Sequence, residues 1–90
     1  MTEIYCLISG TVQNVRYRDY VQVSATALGI TGWVQNLPDG RVAVCAQGMP
    51  DELKDFVEHL HEGSLQAKVE AVAVEWRTTK RSADDFSIRY

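Results

Sequence analysis

Ile4-Tyr5-Cys6-Leu7-Ile8-Ser9-Gly10-Thr11-Val12-Gln13-Asn14-Val15-Arg16-Tyr17-Arg18 passes from an alternating apolar segment, through a glycine and a short loop, into a helical pattern. The alternation predicts a strand over about Ile4 to Ser9, with Ile4, Cys6 and Ile8 on one face. Tyr17, Val21, Ala25 and Leu28 then form one stripe of a helix from about Tyr17 to Leu28, and Gly29 suits its C-terminal cap. A strand, a loop and a helix N-terminus in that order make a cradle for an anion. The first N–H groups of a helix lack intrahelical partners, and the helix dipole favours negative charge beside them. Two arginines lie in the segment, and the guanidinium fork matches phosphate oxygens. The candidate phosphate-binding residues are therefore Gln13, Asn14, Val15, Arg16, Tyr17 and Arg18.

Working outward, Thr31 to Gln35 reads as a second strand and Arg41 to Ala46 as a third, joined through Asn36-Leu37-Pro38-Asp39-Gly40. Pro presets φ and Gly accepts positive φ, which makes this a hairpin turn. A second helix runs from Pro50 to about His61, with Pro at the first position, Asp51 and Glu52 at the positive end and Gly63 at the stop. Its buried stripe is Leu53, Phe56, Val57 and Leu60. Lys68 to Arg77 reads as a long strand with Val72, Val74 and Trp76 on one face, and Phe86 to Tyr90 as a short last one. The order is the split βαβ plan, βαββαβ plus a short C-terminal strand. It predicts an α+β, ferredoxin-like sandwich, a mixed sheet with two helices on one face, as one domain over residues 1–90. The crossover through the first helix makes strands one and two parallel, with strand three between them and antiparallel to both. Their C-terminal ends then share one edge, which brings Asn36 beside the loop.

Ninety residues allow one two-layer core, and no apolar run reaches membrane-span length. With no signal or transit pattern, the expected location is the cytoplasm. The net charge of −3 argues against a nucleic-acid partner, and nothing demands more than a monomer. Cys6 and Cys45 have no metal spacing and fall on opposite sheet faces by parity, so neither a metal site nor an internal disulfide is expected. His59 and His61, two apart on a helix, do not share a face.

Within the cradle, Arg18 is a cation at the positive end of a helix, which local stability does not favour; the competing reading is a contact with Asp19 or another acid. Arg16 has two equal readings, a second phosphate contact or a loop cation in water. Asn14 suits a position of positive φ, and Gln13 has the length to hold the loop. Asn36 reads locally as a turn residue and topologically as a partner of the loop, able to accept from and donate to a water. No His or metal-ligand set accompanies them. A phosphate ester would need an acid or a metal at its alkoxide leaving group, whereas a carboxylate, whose acid has a pKa of about 4, leaves unaided. Mixed carboxylic–phosphoric anhydrides fit such a site.

Gly10-Thr11-Val12-Gln13-Asn14-Val15-Arg16-Tyr17-Arg18 and Gly32-Trp33-Val34-Gln35-Asn36-Leu37-Pro38-Asp39-Gly40-Arg41-Val42, with Gly48 beyond, resemble the two signatures of the acylphosphatases. The resemblance extends over nearly the whole chain. It implies hydrolysis of acyl phosphates to carboxylate and orthophosphate, with no metal or organic cofactor. It implies that Arg18 and the loop amides bind phosphate and that Asn36 positions the attacking water, a phosphate oxygen assisting as base. The sequence departs from the signature at Asn14, where the family has glycine, and at Arg16, where it usually has an aromatic or small residue. The competing function is a ferredoxin-like module that binds phosphate or a metabolite without turnover.

Overall fold

Seven elements follow one another in the computed structural model, which describes residues 1–90: β1 (Thr2–Thr11), α1 (Tyr17–Ala27), β2 (Thr31–Asn36), β3 (Val42–Gly48), α2 (Pro50–Glu62), β4 (Lys68–Thr78) and β5 (Phe86–Arg89). They build one sheet in the order β4-β1-β3-β2-β5. Strand β3 is antiparallel to both β1 and β2, so these two are parallel, as the crossover requires. Strand β4 is antiparallel to β1, and β5 lies parallel to β2 on the other edge.

The period-two pattern decides what is buried. Ile4, Cys6 and Ile8 lie opposite Ala46, Val44 and Val42, and all six are fully buried. Tyr17, Val21 and Ala25 from α1 and Leu53, Phe56 and Leu60 from α2 close the same core, with Val57 packed at its margin. Burying such side chains stabilises the fold by roughly 1.5–3 kcal/mol for each large one. Trp76 shares the face of Val72 and Val74 by register but lies on an edge strand and is half exposed. Cys6 faces the helices and Cys45 the open side, and both are free thiols. Burial pushes the Cys6 thiol up to about 12.

Several boundaries differ from the sequence reading by a residue or two, and three of them bear on the site. Strand β1 continues to Thr11, because its pairing with β4 resumes after a register shift between Ser9 and Gly10. Gly10 makes this possible: at φ 126° a Cβ there would stand 2.1 Å from the Lys68 carbonyl oxygen. Asn36 is the last residue of β2, paired with Val42, and the turn begins only at Leu37, whose N–H donates to the Arg41 carbonyl at 2.8 Å. Helix α1 stops at Ala27, with Leu28 donating to Ser24 and Ala25 before Gly29 turns the chain at φ 71°.

Candidate active site

The loop between β1 and α1 contains both non-glycine residues of positive φ, Asn14 at 63° and Arg16 at 60°. Asn14 behaves as expected of asparagine. Arg16 is the N-cap of α1, a left-handed position that costs an ordinary L-residue about 1–2 kcal/mol. Nothing in the sequence marks that conformation. No side chain caps the helix, so its first-turn N–H groups have no side-chain partner.

Side chains from three directions hold the loop. Gln13 Nε2 donates to the carbonyls of Leu37 and Arg41, at 2.7 and 2.9 Å, and so ties the loop to the β2–β3 turn. The Gln13 side chain thus holds the loop, its amide N–H groups spent on the hairpin. Ser64 Oγ donates to the Val15 carbonyl at 3.0 Å. The Tyr17 and Tyr20 hydroxyls donate to the carbonyls of Leu60 and His59, at 2.7 and 2.8 Å, fixing α1 against the end of α2. Burial pushes both phenols above their ordinary range, so they stay neutral donors. Val15 lines a neighbouring groove and not the cleft below.

That cleft, about 330 Å³, is lined by Asn14, Arg16, Tyr17, Arg18, Asp19 and Asn36 together with Val12, Ile88 and Tyr90. Arg18 from the first turn of α1 and Asn36 from the end of β2 meet there. Arg18 Nη1 donates to the Arg89 carbonyl at 3.0 Å, and its guanidinium lies 4.8 Å from the centre of the Tyr90 ring. It makes no ion pair with Asp19; the ion pairs of the protein are Arg41–Asp39 and Arg77–Glu3. Of five N–H donors on a guanidinium, one is used, and the fork keeps its charge uncompensated. Asn36 Oδ1 is buried and has no hydrogen-bond partner. No cluster of His, Cys, Asp and Glu side chains has the size and proximity to hold a metal ion.

The sequence does not mark the wall made by Ile88, the Arg89 carbonyl and Tyr90. Alternation of Phe86 and Ile88 marks a strand but not the edge it joins. Pairing of Val34 with Ile88 places the end of β5 beside Asn36.

The protein-family model "Acylphosphatase" matches residues 4–88. The acylphosphatase of Thermus thermophilus is 46% identical over 76 residues, covering 84% of this chain and 86% of that one. The acylphosphatase of Methanococcoides burtonii is 44% identical over 87 residues, covering 97% and 88%. The crystal structure of acylphosphatase from Bacillus subtilis superposes with a TM-score of 0.97 at 36% identity, each chain covered completely. Likeness of this extent, in sequence and in backbone, shows that the chain belongs to the acylphosphatase family.

Proposed function

We propose that this acylphosphatase holds the phosphoryl group of its substrate with Arg18 and the N–H groups of the loop and first turn of α1, and that Asn36 orients the attacking water. The water oxygen attacks phosphorus, and the bond from phosphorus to the acyl oxygen breaks. The carboxylate leaves with the electron pair and needs no proton at neutral pH, its acid having a pKa of about 4. The water's proton passes to a phosphoryl oxygen. Positioning and electrostatic stabilisation then supply the rate, without a side-chain acid or a metal. The Arg89 carbonyl and the Tyr90 ring keep the Arg18 fork in place.

One observation carries this reading: Arg18 and Asn36, from separate elements, line the same cleft. The unpartnered Asn36 Oδ1 supports it, since a buried unpaired acceptor costs about 1–3 kcal/mol unless something outside the protein satisfies it. Hydrolysis of benzoyl phosphate and of p-nitrophenyl phosphate, followed at neutral pH with chelator present, tests the proposal. Cleavage of the first alone is expected. Phosphate binding without cleavage of either would select a binding module instead, and a requirement for added metal would overturn the metal-free mechanism.

The corresponding cellular reading is a monomeric, cytoplasmic enzyme that takes small acyl phosphates, releases inorganic phosphate and does not engage nucleic acid. The net charge of −3 supports it, as does an open sheet face on which Arg77 is matched by Glu3. No helix is long and apolar enough to cross a membrane.

A further inference from the structure

Arg16 is the one residue that lines both the cleft and the adjoining groove. The groove, about 1090 Å³, runs between the loop and the segment after α2, with Val15, Tyr20, Leu65 and Ala67 on its walls. The Arg16 side chain is exposed and makes no ion pair. Its backbone is left-handed, where glycine or asparagine would sit with less strain, so neither packing nor local conformation calls for an arginine. With the phosphoryl group in the cleft, an acyl group that runs into the groove passes Arg16, the residue the two share. We propose that Arg16 selects acyl phosphates whose acyl group carries a second anionic group, carboxylate or phosphate, a few bonds from the scissile carbonyl. This rests on the acyl phosphate reading of the cleft. Glu62 is the other charged residue of the groove, and its sign keeps an anion from settling beside it. The second anion therefore belongs at the Arg16 rim, which favours short acyl groups.

The test compares kcat/KM for benzoyl phosphate, 3-carboxybenzoyl phosphate and 4-carboxybenzoyl phosphate in the parent, Arg16→Asn and Arg16→Lys. Asparagine tolerates the left-handed backbone, so the loop is preserved while the charge is lost. The expected result is a fall of about fivefold in the preference for a carboxylated over the plain substrate in Arg16→Asn, the size of an exposed charge contact. The preference returns in Arg16→Lys and shrinks as salt is raised. Unchanged preference in Arg16→Asn would overturn the proposal. So would an equal fall on all three substrates, which would place Arg16 on the transferred phosphoryl group. Should the parent hydrolyse none of the three, the reading of the cleft itself fails, and that outcome is separate from a change in preference.

Discussion

Two carboxamides of this sheet, Gln47 on its open face and Asn36 at its cleft, are treated in opposite ways. Gln47 Nε2 donates to Glu3 and to the Arg81 carbonyl, each at 2.9 Å, and its Oε1 accepts from the Ala83 N–H at 2.9 Å. Asn36 Oδ1 accepts from nothing. The arginines follow the same division. Arg77 pairs with Glu3 and lies 5.3 Å from the centre of the Tyr5 ring; Arg89 covers Trp33 at 4.5 Å. At the cleft, Arg16 and Arg18 have no carboxylate partner. On the open face polar groups are consumed in holding strands and the 79–83 segment together. At the cleft the same residue types stay unpaired, which costs stability unless something outside the protein satisfies them. On the proposed mechanism, the difference separates residues that serve the fold from residues that serve the reaction.

The sharpest way to break that division is to remove a group on each side and ask which property moves. Arg18→Ala is expected to have the largest effect. Loss of a charged donor to the phosphoryl group should lower kcat/KM for benzoyl phosphate by about 10³-fold and weaken inhibition by inorganic phosphate, while the thermal midpoint changes little. A normal phosphate affinity in this variant would remove Arg18 from the binding role. Asn36→Ala comes next, at about 10²-fold in kcat, the range for a group acting on the reacting atoms. Here phosphate inhibition should persist, and stability should hold or rise, because an unpaired buried acceptor disappears with the side chain. Turnover at the parent rate would sink the water-positioning role.

Why those two residues were within reach of sequence reasoning, and others not, has a physical basis. The crossover through α1 makes β1 and β2 parallel, so Arg18 and Asn36 had to share an edge. Asn14 carried its own conformational cue. Arg16 did not: arginine in a left-handed position is visible only in the backbone, at φ 60°. Gln13 has the length to hold the loop, but the direction of its amide depends on where the Leu37 and Arg41 carbonyls fall, and a hairpin predicted from Pro-Asp-Gly does not say. The cleft wall from β5 escaped for a similar reason. A strand of four residues with one buried apolar stripe fits either sheet edge until its partner is known.

Gln47→Ala extends the comparison to the open face. It strands the Ala83 N–H and removes a donor from Glu3 and from the Arg81 carbonyl. The cost should be about 2 kcal/mol in denaturant unfolding, with kcat/KM for benzoyl phosphate unchanged in the folded enzyme. A fall in activity without a fall in stability would show that the two regions are coupled, contrary to the division drawn above.

The smallest effect, and the one that reads the electrostatics directly, belongs to Glu3. Burial pushes its carboxyl up, but hydrogen bonds from Gln47, Cys45 and Arg77 together with the Arg77 charge outweigh that and leave it below the usual range. A carboxyl with a folded value below its unfolded one, about 4.3, stabilises the fold fully above that pH. The contribution drains away as pH falls through the lower, folded value, where protonation removes the charge in both states. Glu3→Gln keeps the shape and discards the charge. At pH 7 it should be about 1 kcal/mol less stable than the parent, a modest figure because Arg77 is 42% exposed and screened by solvent. Measured by denaturant titration at falling pH, that gap should close below about pH 4 as the parent takes up its proton. A gap that stays constant with pH would mean that Glu3 acts through packing and hydrogen-bond geometry alone. The Arg77 charge would then be as uncompensated as those at the cleft, and pairing could no longer distinguish the two regions.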